Sequence, residues 1–287
     1  MKSLAVLSLL VTLALAQSPS NTPTNPLIPS NISTGCGDFL NQLDADPTFP
    51  QCLEPLISAT APLTTASTSN TTSTALTSAL TTICTSTTCD PNAIAKQLGL
   101  FYGACQAELI NSQIPGVKLA YDALYLLAPL QKALCATDTS GQYCAVIIAS
   151  SSTAKRASLD RRSNPQEAFV PNITTYGQNN IAFLGLQPNL AADKLCVPCT
   201  RNIMNAYTSQ LSNVPYGPGV PNSVLFPGQQ ALYDAINATC GSAFLGGESQ
   251  AVAGALATGA APRSVDGASA LIGSAIVAAA AGVIALL

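Results

Sequence analysis

The stretch Asp90-Pro91-Asn92-Ala93-Ile94-Ala95-Lys96-Gln97-Leu98-Gly99-Leu100-Phe101-Tyr102-Gly103-Ala104-Cys105 decides the fold class. Asp90 can accept from the free N–H groups of a first helical turn, and Pro91 tolerates the next position because its missing N–H is one of those orphans. Ile94, Leu98, Phe101, Cys105 and Leu109 recur every three to four residues, so a helix over 91–114 turns all five to one side.

The same spacing recurs outward from this segment. Residues 117–135 carry Leu119, Leu124, Leu127 and Leu130, with Pro129 as an expected kink. Residues 193–212 carry Leu195, Cys199, Ile203, Tyr207 and Leu211, and residues 228–240 carry Leu232, Ile236 and Cys240. Between these two lies 215–227, whose four prolines predict an irregular loop. Residues 58–88 hold nineteen Ser or Thr, a composition that suggests O-linked sugars in a secreted chain. Leu76, Ala79, Leu80 and Ile83 nevertheless make its later part a helix, leaving a Ser/Thr-rich loop at about 58–74. Strand-like alternation is rare. The expectation is an all-α, disulfide-braced helical bundle of five to seven helices, with mobile Ser/Thr/Pro-rich segments.

The two ends speak to compartment. Met1-Lys2-Ser3, an apolar run and Ala14-Leu15-Ala16 before Gln17 read as a signal peptide over 1–16. At the other end, 270–287 is apolar or small and uncharged. A polar spacer precedes it, and before that stands Gly259-Ala260-Ala261. Small residues, spacer and apolar tail form the signal for a glycosylphosphatidylinositol (GPI) anchor, with attachment at Gly259, or at Gly254 or Ser264, and 260–287 removed. A transmembrane helix would want positive residues beyond the span, and none follow it. The mature chain is then 17–259. It comprises a disordered arm (17–33), an N-terminal helical half (34–149), a linker (150–171), a C-terminal helical half (172–246) and a stalk (247–259).

Composition excludes several activities. There is no histidine and no tryptophan. Ser-His-Asp and Cys-His nucleophiles and histidine metal sites are therefore unavailable. The acidic residues are scattered, with no pair in a recognisable catalytic setting. The mature part has nine Lys or Arg against thirteen Asp or Glu, a net −4, and four of the nine crowd into 155–162. No basic stripe remains for nucleic acid. The reading is a protein with no enzymatic activity, metal or cofactor. Its partners are the GPI lipid with the outer leaflet or cell wall, and an apolar ligand such as a sterol or acyl chain. The alternative is a structural or adhesive wall glycoprotein.

The cysteines stand at Cys36, Cys52, Cys84, Cys89, Cys105, Cys135, Cys144, Cys196, Cys199 and Cys240. An even number behind a signal peptide reads as five bridges. Four N-glycosylation sequons, at Asn31, Asn70, Asn172 and Asn237, fit the same secretory route. The linker carries Lys155-Arg156 and Arg161-Arg162. These are either a solvated basic segment or dibasic cleavage sites ending at Arg156 and Arg162. Seven cysteines precede the linker and three follow it. Complete internal pairing therefore requires one or three bridges across it. Cys196-Val197-Pro198-Cys199 is read as structural, since nothing around it resembles a thioredoxin βαβ unit.

Leu195-Cys196-Val197-Pro198-Cys199 with Ile203, Tyr207, Leu211 and later Cys240 resembles the opening half of a saposin-like domain. Cys105, then Pro129-Leu130-Gln131-Lys132-Ala133-Leu134-Cys135, then Cys144 resembles the closing half, in swapped order as in the permuted inserts of plant proteases. The likeness covers 91–244. It implies the pairs Cys144–Cys196, Cys135–Cys199 and Cys105–Cys240, leaving Cys36–Cys52 and Cys84–Cys89. The whole layout, with Phe101-Tyr102-Gly103-Ala104-Cys105 and Cys196-Val197-Pro198-Cys199-Thr200, is similar to uncharacterised GPI-anchored, cysteine-rich proteins of filamentous fungi. That likeness implies a surface location and no particular activity. The clustered cysteine-aspartate signature of fungal haem-capturing domains is absent.

Overall fold

A computed structural model describes residues 28–46, 49–65, 73–151 and 173–246. Among them the chain forms ten α-helices: α1 Thr34–Ala45, α2 Pro50–Thr65, α3 Ser73–Thr85, α4 Pro91–Ala104, α5 Pro115–Leu134, α6 Cys144–Ser151, α7 Ile173–Gln178, α8 Ala192–Leu195, α9 Pro198–Asn213 and α10 Gln229–Cys240. The sole β feature among the described residues is an isolated bridge between Thr137 and Tyr143. The all-α, disulfide-braced class holds. Ten helices exceed the expected five to seven because α6, α7 and α8 are short, with eight, six and four residues.

The opening stretch folds as its residues dictate. Asp90 caps α4 by accepting from the Asn92 N–H at 3.0 Å, and Pro91 occupies the first turn. Ile94, Leu98, Phe101, Cys105 and Leu109 are all fully buried. The helix does not run unbroken to 114, however. It ends at Ala104, and the chain resumes as a π turn over Ala107–Asn111. Gln113 takes φ 45°, which a side chain adopts at a cost, and Ile114 then starts α5 from an extended conformation.

α5 is the central helix, with fourteen buried residues, and packs against α9, α4 and α3. Leu124, Leu127 and Leu130 are buried as their spacing predicts, while Leu119 is only half-buried. Pro129 lies inside α5, where its missing N–H leaves the Tyr125 carbonyl without its helical donor. The helix expected over 193–212 is two. Val197 precedes Pro198, so the clash of the proline ring pushes it out of the α region to φ −109°, ψ 156°, and the chain breaks between α8 and α9. At the N-terminal side, α2 continues to Thr65, into the segment expected as loop.

Five bridges close the bundle and no described cysteine is free: Cys36–Cys105, Cys52–Cys89, Cys84–Cys135, Cys144–Cys199 and Cys196–Cys240. The saposin-like pairing is therefore not formed, nor are Cys36–Cys52 and Cys84–Cys89. Helix packing decides the outcome. α1 lies on α4 and brings Cys36 to Cys105, and α3 lies on α5 and brings Cys84 to Cys135. The break before Pro198 sends Cys196 to the end of α10 while Cys199, in the first turn of α9, meets Cys144 at the start of α6. One bridge, Cys144–Cys199, spans 150–171, as the odd counts on either side require. With partners 37 to 69 positions apart along the chain, each closure is worth ~4 kcal/mol in the chain-entropy account.

Candidate functional site

The most concentrated buried chemistry lies where α5 meets the proline-rich segment 214–227. Asp122 shares the inward side of α5 with Tyr121 and Tyr125 and has no exposed surface. A buried carboxylate must have its lone pairs filled, and here the loop supplies the donors. The Tyr216 hydroxyl donates to Oδ1. Oδ2 accepts from the Ser223 hydroxyl at 2.7 Å, the Val224 N–H at 2.7 Å and the Leu225 N–H at 3.0 Å. Ser223 Oγ in turn accepts the N–H groups of Leu225 and Phe226. The Tyr125 hydroxyl donates to the Val214 carbonyl at 2.9 Å, fastening the start of the loop.

Aromatic rings surround this clasp. Tyr216 stands edge-on to Tyr121, Tyr125 and Phe226, with centroids 5.0 to 5.4 Å apart, and Tyr125 stacks on Phe226 at 5.6 Å. α7 closes the far side. Gly177 permits its approach, because a Cβ there would stand 3.3 Å from both the Val224 carbonyl and Pro227. Burial pushes the Asp122 carboxyl up to about 6 against the opposing pull of its four hydrogen bonds. Burial, reinforced by the negative charge of Asp122, raises the Tyr216 and Tyr176 hydroxyls as well. The Tyr176 hydroxyl is buried and makes no hydrogen bond. Chemically, Asp122 is a pin. Its oxygens are committed to the loop, and a substrate would reach it only by opening that loop.

A second buried acid lies at the π turn. Glu108 Oε1 accepts the Ser33 N–H at 2.7 Å, while Oε2 is buried without a partner. Burial works to raise this carboxyl, but the Ser33 hydrogen bonds prevail and hold it below the usual range. The sulfurs of Cys36 and Cys105 lie within 4.8 Å of a Glu108 oxygen. Both sulfurs belong to one disulfide, so they offer no thiolate, and the grouping is not a thiolate metal centre.

The structure disperses the residues that the sequence singled out. Asn31 is exposed just ahead of α1, two residues before its capping residue Ser33. Asn237 lies in the last turn of α10 and is half-buried. Cys196 and Cys199 pair with different partners, so the Cys-x-x-Cys holds no dithiol. Asn70, Asn172, Arg156, Arg162 and Gly259 lie outside the described residues, as do the signal peptide, most of the linker and the anchor signal. Sequence reasoning missed Asp122 and Glu108. The available signal was an isolated acid inside an apolar helical pattern: Asp122 is the lone charge from 119 to 131.

Set against known protein families, curated proteins and solved structures, the chain matches none.

Proposed function

We propose that this chain is a GPI-anchored cell-surface glycoprotein with no enzymatic role. In this reading a disulfide-braced helical ectodomain is displayed outside the cell, on the outer leaflet or in the wall. The observation that carries it is the complete internal pairing of the ten cysteines. Such frameworks form and persist in oxidising compartments. The fully committed carboxylate of Asp122 and the absence of histidine are consistent with a display role rather than with catalysis.

The structural or adhesive form of this reading fits the described core best. Apolar sides of α4, α5 and α9 face inward and are filled by packed rings, and Leu100 is the one large apolar side chain well exposed among the described residues. The apolar-ligand form retains one support, the Tyr176 hydroxyl, which is buried without a hydrogen-bond partner. Organic extraction and mass spectrometry of the purified ectodomain separate the two forms: a bound lipid favours the ligand reading. The surface reading itself is tested by treating intact cells with phosphatidylinositol-specific phospholipase, and separately with wall-degrading enzymes. Release of a product ending near Gly259 supports it. A product retaining 270–287 contradicts it.

A further inference from the structure

Asn237 offers an N-glycosylation sequon, Asn237-Ala238-Thr239, inside a helix that a disulfide locks shut. Residues two apart on an α-helix point about 200° apart around its axis, so the Asn237 amide and the Thr239 hydroxyl face different sides of α10. A transferase that must engage both groups together cannot do so on the folded helix. The side-chain oxygen of Asn237 is moreover buried and unpartnered, and its backbone carbonyl accepts the Gly241 N–H that ends the helix. Cys240 follows within the same turn and is bridged to Cys196. Asn31 itself is exposed and lies outside any helix, two residues ahead of Ser33, which caps α1 in extended conformation.

We infer that Asn237 is a folding-gated glycosylation site: it accepts sugar only before α10 forms and Cys196–Cys240 closes, and closure of that bridge ends its availability. The inference rests on the secretory reading above. The reaction takes a lipid-linked oligosaccharide as donor. Asn237 Nδ2 forms a bond to the anomeric carbon, whose bond to the pyrophosphate oxygen breaks. The pyrophosphate leaves with the electron pair, and one amide proton passes to a base of the transferase.

The test is site occupancy in the full chain, expressed in a secreting eukaryotic host and read by enzymatic deglycosylation in heavy-oxygen water, which marks each occupied asparagine as aspartate. Total cellular protein is analysed, so that variants retained inside the cell are still counted. Wild type is compared with a C196S/C240S variant and with wild type made in the presence of dithiothreitol. The expected result is low occupancy of Asn237 in wild type, rising several-fold under both treatments, with Asn31 unchanged. Occupancy of Asn237 equal to that of Asn31 in wild type overturns the inference alone, as does low occupancy that stays low when the bridge is open. Absence of sugar from all four sequons, Asn31, Asn70, Asn172 and Asn237, overturns the secretory reading and this inference with it.

Discussion

At Asp122 an uncompensated carboxylate is held in the interior by four donors, all from one loop. Asp122→Asn puts an N–H group where an acceptor is needed, which leaves buried donors facing one another. The expected cost at neutral pH is about 2 kcal/mol, read as a lower denaturant midpoint. An unchanged midpoint would show that the clasp does not hold the loop. Titration adds a sign. Because the folded-state carboxyl is raised to about 6 from 3.8, its contribution to stability is fully present below the unfolded value and is lost as pH rises through 6. The margin of wild type over Asp122→Asn should therefore be larger at pH 5 than at pH 7.5, by on the order of 1–2 kcal/mol. Glu108 runs the opposite way. Its folded value is lowered, so its contribution is present above the ordinary carboxylate range and is lost in acid. The margin of wild type over Glu108→Gln should shrink as pH falls from 6 to 3. Denaturation series across pH for the two variants should show opposite slopes, and parallel slopes would contradict both assignments.

At the scale of elements, burial separates positions of identical chemistry. Leu124 on α5 is fully buried, whereas Leu100 on α4 is 43% exposed. Leu124→Ala should cost about 2–5 kcal/mol, the range for deleting a core leucine, and Leu100→Ala within about 0.5 kcal/mol. Equal effects on the thermal or denaturant midpoint would mean that α4 and α5 are not oriented as described. The same physics explains what was legible. α4 and α5 announced themselves because Asp90, Pro91 and a three-to-four spacing of Ile94, Leu98 and Phe101 agree at every level. α1 did not, since Gly35 and Gly37 weaken its start and its buried positions are few, Cys36, Leu40 and Leu43. α6 is nearly all apolar over Ala145-Val146-Ile147-Ile148-Ala149, so it shows no periodicity to read. The break at Val197 was readable in principle from Pro198, but the apolar stripe continuing across it argued for one helix.

For the whole molecule, which cysteines pair depends on which helices lie side by side, and spacing along the chain does not encode that. Parity did survive, because it needs only the counts on either side of the linker. The structure sharpens it to a single bridge, Cys144–Cys199. If Lys155-Arg156 or Arg161-Arg162 is cut, the protein should run as one band without reductant and as two with it. Arg156→Ala with Arg162→Ala should restore one reduced band. Removing only Cys144 and Cys199 should free the two pieces in unreduced denaturing gels, and pieces that stay joined would mean that a second bridge crosses. Ten cysteines brace one helical bundle through five internal bridges. Peptide mapping of the unreduced protein tests this most directly. The expected linked peptides join Cys36 to Cys105, Cys52 to Cys89, Cys84 to Cys135, Cys144 to Cys199 and Cys196 to Cys240. A free thiol, an intermolecular link or a Cys135–Cys199 peptide would contradict it.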